Sequence, residues 1–445
     1  MNDREGAAPR PSLSALEGVS IMIGIVIGIG IFKTPPLVAM NVGSEAAFIG
    51  VWLLGGLVTL IGALCYAELA AAHPHTGGEY HFLMRGLGRP TAILFGWARS
   101  TVIQTGAIAA VAFVFGDYAA QILPLGEHGQ AIYAAGAIAC LTAVNLFSSP
   151  ASMKTQLALT LLTVLGMLAV IVAPFFIVGG EPNPPTGPPS ANQAFGLAMI
   201  LVLVTYGGWN ETAYLSAELR NVRRNMVYVL VLGTSLLIAI YTIVNFAFLA
   251  SFGLEGLRRT DAVGADLMRL VVGEVGAILL SAIVVACALS TLNATIFTGA
   301  RVYHAMGRDL PVLKRLGAWS SRGDNPVNGI LLQGAISLAL VAFGASTRDG
   351  FQAMVDYTAP VFWSFLLLVG VSLFVLRWRE PNRDLPFRVP LYPLTPLLFC
   401  ATCAYMVYAS LVYTGVGAFV GVAVLIAGVP LLLLSAPRPQ SAAAG

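Results

Sequence analysis

Apolar runs long enough to cross a bilayer recur along almost the whole chain, and no soluble fold can absorb them. A transmembrane helix needs roughly 20 predominantly apolar residues. Such runs occupy 16–39, 46–71, 91–122, 130–147, 155–179, 193–217, 226–251, 272–299, 327–346, 353–377, 391–413 and 416–435. Barrel strands would alternate over about 10 residues, and these segments do not, so the expectation is an all-α membrane protein of twelve transmembrane helices. The run 91–122 is long enough to tilt or to begin at the surface. Charged residues make up 10% of the chain, against about 25% in a soluble domain, and they cluster in islands between the runs. That excludes a soluble enzyme, a disordered chain and a nucleic-acid binder, and it makes membrane lipid the expected surrounding.

The islands also orient the chain, because Arg and Lys accumulate in cytoplasmic loops. With the N-terminus inside, 18 basic residues fall on the cytoplasmic side, 5 fall outside (Lys33, Arg258, Arg259, Arg269 and Arg348), and Arg99 lies within the third run. Both termini are therefore expected in the cytoplasm, with the chain in an inner or plasma membrane. Residues 1–15 read as a cytoplasmic segment retained ahead of the first helix, and 436–445 as a cytoplasmic tail. Residues 180–192, rich in proline and lacking basic residues, read as an outside linker dividing helices 1–5 (16–179) from those that follow. Between helices, 72–90 reads as a re-entrant or surface helix, and 301–326 as a segment that could lie along the bilayer. The five cysteines all sit inside apolar runs, so no extracellular disulfide framework is expected.

Two of the runs carry an interruption. Gly24-Ile-Val-Ile-Gly28-Ile-Gly30-Ile-Phe32 places three glycines within seven residues, and Val204-Thr205-Tyr206-Gly207-Gly208-Trp209-Asn210-Glu211 sets adjacent glycines among polar residues. Either alone could be a close-packing device. Together they open the two halves on either side of the linker, and Gly-interrupted helices at corresponding positions point to a transporter site between inverted repeats. A broken helix exposes N–H groups on one side and carbonyls on the other. Those groups suit a carboxylate and an ammonium, the part shared by all α-amino acids.

The residues also resemble a known family. Gly28-Ile-Gly30-Ile-Phe32 is similar to the Gly-x-Gly-Ile-Phe motif of the amino acid–polyamine–organocation (APC) superfamily. Three further stretches agree in order: Tyr66-Ala-Glu68-Leu with Pro74-His-Thr-Gly77-Gly78-Glu79-Tyr80; Tyr206-Gly-Gly-Trp209-Asn210 with Glu218, Asn221 and Arg224-Asn225; and Gly299-Ala-Arg301 with Ala305-Met-Gly-Arg308-Asp309. The likeness is strongest to L-type neutral amino-acid transporters. It implies a leucine-transporter-type fold, with a 5+5 inverted repeat of helices 1–5 (16–179) and 6–10 (193–377) and two accessory helices (391–435). It also implies that Ile29 and Gly30 N–H groups face a substrate carboxylate, and that carbonyls near Val26, Val204, Thr205 and Gly207 take the ammonium. Tyr206 and Trp209 would line the cavity or pack at an interface, and Gln104 would line it.

Three departures stand out against that pattern. Many L-type relatives carry an aromatic gate where this chain has Val204. A lysine common in mid-helix 5 is replaced by Thr163, which permits a sodium site of carbonyls near Gly24 and Ile27 with hydroxyls of Ser290, Thr291 and Thr163. The loop 124–129 lacks the cysteine that ties eukaryotic members to a partner glycoprotein, so no disulfide-linked heavy subunit is expected. Glu211 is the rival for coupling: an intramembrane carboxylate either carries a proton or pairs with a neighbouring donor. The expected activity is secondary active transport or exchange of neutral L-amino acids by alternating access, with no catalytic residues and no cofactor beyond a coupling ion, sodium or proton. Transport of cationic amino acids or polyamines, or amino-acid sensing without transport, are the alternatives.

Overall fold

The computed structural model describes residues 13–75, 77–147, 153–176, 194–216, 218–309, 313–318, 326–347 and 349–434. The linker 180–192, residues 1–12 of the N-terminal segment and the tail 436–445 lie outside the described residues. What is described is helical, joined by turns, with one isolated bridge between Leu13 and Leu219.

In chain order the helices are α1 (Ala15–Val26), α2 (Thr34–Ala39), α3 (Glu45–Ala72), α4 (Gly78–Gly86), α5 (Arg89–Ala98), α6 (Gln104–Ile122), α7 (Gly129–Phe147), α8 (Met153–Val172) and α9 (Phe195–Thr205). They continue as α10 (Val222–Leu257), α11 (Val263–Val272), α12 (Glu274–Asp309), α13 (Val327–Ala345), α14 (Gly350–Arg379), α15 (Leu394–Val412), α16 (Val416–Ile426) and α17 (Pro430–Leu434). Their starts follow from local chemistry. Ser14 and Glu17 form a reciprocal capping box at α1, and Asp349 Oδ1 accepts the Gln352 N–H at 2.9 Å to cap α14, each satisfying N–H groups that a helix start leaves open.

Among the described residues, nine helical stretches are long and apolar enough to cross a membrane, and Leu161–Phe176 and Val416–Leu432 are shorter apolar helices. The long third run is one such stretch, Arg89–Ile122, in which a π turn at Arg99–Ile103 separates α5 from α6. Within 72–90, residues Gly78–Gly86 form the short helix α4 between two spans. The surface segment expected from 301 does not begin there: α12 runs on unbroken to Asp309, and 310–312 and 319–325 lie outside the described residues.

The outward faces carry Leu57, Ile243, Phe246 and Leu279, each more than 45% exposed, as lipid rather than water would allow. Inside, α10 packs along α3 and α1, while α6 packs against α7, α12 and α14. The two interrupted runs pass through the middle of this arrangement, with α2 and the 3-10 turn before it against α9.

Candidate functional site

The first interruption is a real break. α1 stops at Val26, Ile27 leaves helical geometry at ψ 77°, Gly28 is extended, and a 3-10 turn spans Ile29–Phe32 before α2 begins with prolines in its first turn. The first N–H groups of a new helical turn have no partner within it. Among the described residues, those of Ile29 and Gly30 donate to no acceptor elsewhere in the protein either.

The second break is made differently. α9 ends at Thr205, Gly208 adopts φ +103°, and a 3-10 turn covers Trp209–Leu215. Only glycine takes that left-handed conformation without strain. Gly207 N–H closes on the Val204 carbonyl at 3.0 Å.

The two breaks meet. A Cβ on Gly30 would stand 3.5 Å from the Thr205 Cα, and the Thr34 and Thr205 hydroxyls lie 2.6 Å apart. Between the breaks stands Tyr241 of α10, whose hydroxyl donates to the Val26 carbonyl at 2.8 Å and lies 3.3 Å from the Thr205 carbonyl. Two carbonyls expected to receive an ammonium thus already face a single donor. Sequence reasoning missed Tyr241, and its only signal was a hydroxyl-bearing ring inside an otherwise apolar run.

The other expected residues divide. Tyr206 is fully buried, donates to the Trp52 carbonyl at 3.3 Å and sets its ring tilted at 5.1 Å from Tyr241, so it is part of the wall of the breaks. Trp209 is interface packing: its ring sits 4.8 Å from Tyr66 and 6.5 Å from Phe399. Gln104 uses its side-chain amide on the Thr295 carbonyl at 3.1 Å, tying α6 to α12. In the sodium set, Thr163 Oγ1 is 2.7 Å from Cys287 Sγ and Thr291 donates to the Cys287 carbonyl at 3.1 Å. Both hydroxyls therefore converge on residue 287.

Beyond each break lies a buried ion cluster, each with one cation between two carboxylates. After the second break, Arg99 Nη2 pairs with Glu211 at 2.8 Å and Nη1 lies 3.7 Å from Glu79. The guanidinium also covers the Tyr214 ring at 4.8 Å, and Glu79 accepts from Tyr66 at 2.7 Å, Asn210 at 3.0 Å and Tyr214 at 3.2 Å. Burial raises the Glu79 carboxyl above its ordinary value, with Arg99 pulling the other way. After the first break, Lys33 pairs with Asp117 at 2.9 Å and Asp349 at 3.3 Å. Tyr118 anchors the same arm through the Phe32 carbonyl at 2.9 Å.

Two facing helix breaks inside a bundle of apolar helices are the architecture of a membrane transport protein. A family model for amino acid permeases matches residues 13–434. The chain belongs to that family, within the APC superfamily, and is an amino acid transporter. It is 27% identical over 406 residues to the b(0,+)-type amino acid transporter 1 of Mus musculus, covering 89% of this chain and 82% of that one. It is 26% identical over 452 residues to the large neutral amino acids transporter small subunit 2 of Mus musculus (96% and 82% covered). To the cystine/glutamate transporter of Homo sapiens it is 24% identical over 431 residues (95% and 84%). One of these relatives is named as a small subunit, so the comparisons give no support to the expectation that this chain lacks a partner.

Proposed function

We propose that the chain carries neutral L-amino acids across the membrane by alternating access, as an exchanger. The observation that carries this reading is the pair of N–H groups at Ile29 and Gly30, which lack partners beside a break that closes on Thr205. They would hold the substrate carboxylate, and the carbonyls of Val26, Val204, Thr205 and Gly207 would take the ammonium as Tyr241 gives way. A neutral side chain is favoured because the intramembrane carboxylates beyond the two breaks, Glu211 and Asp117, are paired with Arg99 and Lys33 and offer no free charge to a cationic substrate. The same pairing favours structure over proton carriage for Glu211. With Thr163 and Thr291 turned to Cys287, exchange is favoured over sodium coupling through the set Gly24, Ile27, Ser290, Thr291 and Thr163.

Twelve spans with both termini in the cytoplasm and a 5+5 inverted repeat complete the reading. It is supported by the bias of 18 basic residues against 5 and by matched break-and-cluster arrangements in the two halves. No disulfide-linked partner is proposed, since the loop 124–129 has no cysteine. Purified protein in liposomes, given labelled neutral, cationic and acidic amino acids under separate sodium, proton and counter-substrate gradients, tests the substrate and the coupling. Neutral uptake accelerated only by internal counter-substrate is the expected result. Uptake driven by sodium or by protons alone would overturn exchange, and preference for cationic substrates would overturn the substrate class.

A further inference from the structure

Away from the breaks, a cavity of about 380 Å³ opens where the spans Glu45–Ala72 and Gly350–Arg379 both end, beneath the segment leading to α15. Three arginines, Arg377, Arg383 and Arg388, line it against two glutamates, Glu68 and Glu380. Both carboxylates are already held. Glu68 accepts from Arg377 Nε at 2.6 Å, from Arg377 Nη2 at 2.5 Å and from the Val389 N–H at 2.6 Å. Glu380 accepts from Arg85 at 2.7 Å and Arg383 at 2.8 Å. Arg388 is exposed at the rim and, among the described residues, has no carboxylate partner. The cavity therefore carries one uncompensated positive charge.

A second observation points to a ligand. His73 lines the same cavity, is 4% exposed, and its Nδ1 is buried without a hydrogen-bond partner. Such an orphan is costly to leave unmade. Burial and then Arg383 push the imidazole down to about 4, so at neutral pH the ring is uncharged with one N–H to offer.

The rim is apolar and wet at once. Trp378 is 81% exposed, Leu391 77% and Tyr392 41%, and Arg377 lies 3.8 Å over the Tyr392 ring. Exposed aromatic rings beside basic groups at the ends of two spans are what the headgroup level of a membrane selects. Arginines in a pocket between helix ends suit phosphate oxygens.

We infer that this cavity is a binding site for an anionic phosphate group, carried by the headgroup of a phospholipid on that face of the membrane. Arg388 and the free edge of Arg377 would meet the phosphate, His73 would be satisfied at the floor, and Trp378 and Leu391 would lie against the acyl chains. The site lies outside the substrate path and does not depend on the transport reading above.

Native mass spectrometry and thermal unfolding of the full chain in neutral detergent test it, with phosphatidylglycerol, phosphatidylcholine and sn-glycerol 3-phosphate as probes. Phosphatidylglycerol should bind and raise the unfolding temperature, phosphatidylcholine should do so more weakly, and Arg388→Gln should weaken phosphatidylglycerol binding about tenfold while Arg388→Lys keeps most of it. Arg388 is exposed, so neither variant threatens folding. Equal binding of the two lipids, or unchanged binding in Arg388→Gln, would overturn the site. Binding of sn-glycerol 3-phosphate as tight as that of phosphatidylglycerol would overturn the lipid as its source.

Discussion

The Arg99 and Lys33 clusters use the same ratio of charges to do the same job at opposite ends of the third span. Arg99 and Asp117 stand 18 residues apart along it, roughly 27 Å at 1.5 Å per residue. Each cluster fastens the far arm of a broken helix: Asn210 and Glu211 on one side, Lys33 on the other. The difference lies in how the surplus carboxylate is kept. Around Arg99 the second carboxylate, Glu79, is almost fully buried and accepts from three neutral donors. Around Lys33 the second carboxylate, Asp349, keeps 27% exposure and doubles as the cap of α14. A planar guanidinium can serve two carboxylates and a ring in one geometry, where an ammonium is a point charge. The Arg99 end thus keeps its surplus carboxylate, Glu79, dry and leaves Glu211 35% exposed, whereas the Lys33 end holds Asp117 at 13% and its surplus Asp349 at 27%.

Removing the cation is the strongest way to break that comparison. Arg99→Met leaves Glu79 buried without a counter-charge and should destabilise the protein by about 3–5 kcal/mol. Lys33→Met should lose clearly less, because Asp349 can turn to water. Thermal unfolding in detergent ranks the two, and an equal or larger loss at Lys33 would mean that the dry Glu79 carboxylate is not what sets the cost.

The breaks differ in the same spirit, and alanine substitutions read that difference at the next smaller scale. Gly208→Ala forces φ +103° on an L-residue and brings its Cβ within 3.0 Å of Ile25 Cγ2, for a loss of about 1–2 kcal/mol. Gly30→Ala meets nothing closer than 3.5 Å and should leave unfolding unchanged while weakening substrate binding about tenfold, by crowding the N–H edge. If the two variants lose stability alike, the breaks are equivalent and the first is not shaped for a ligand. Tyr241→Phe, which removes a donor from both breaks, should lower stability by about 1 kcal/mol and shift substrate affinity, whereas a purely structural tyrosine would move stability alone.

How far the sequence reaches is clearest at these residues. Apolar length marked the spans, because lipid leaves a chain no other way to satisfy its backbone, and clustered glycines marked both breaks. The pairing of Arg99 with Glu211 was half legible: two opposite intramembrane charges demand partners, but nothing in the linear order says they find each other across 112 positions. Glu79 belonged to a loop helix and gave no sign that it folds back beneath Arg99. Lys33 read only as a topology marker, since a buried ion pair and an exposed one look the same in a string of letters. Tyr241 and the cavity around His73 depend on side-chain direction, which periodicity alone does not supply.

The smallest expected effect is a pH dependence at one corner. His73 and His81 stand on the α3–α4 corner whose helix carries Glu79. Burial lowers both imidazoles from 6.5 to about 4, with Arg383 adding to it at His73 and the stacked His75 at His81. Arg85 and Arg383 press on both rings in the same direction, and Glu380 opposes them at His73. A depressed folded value means the neutral ring is the one the fold prefers. Its stability is therefore present above about 6.5 and lost as pH falls toward about 4. Glu79 has the opposite sign, because its raised value makes the protonated acid the favoured form and eases folding as pH falls. The histidines lose stability first, since they begin to titrate from 6.5 downward. Hydrogen–deuterium exchange at corrected times should show peptides over 77–86 loosening between pH 6.5 and 4.5, with the change reduced in His81→Gln. Loosening unchanged in His81→Gln would mean that acid acts on the fold as a whole and that the buried imidazoles carry no local pH signature.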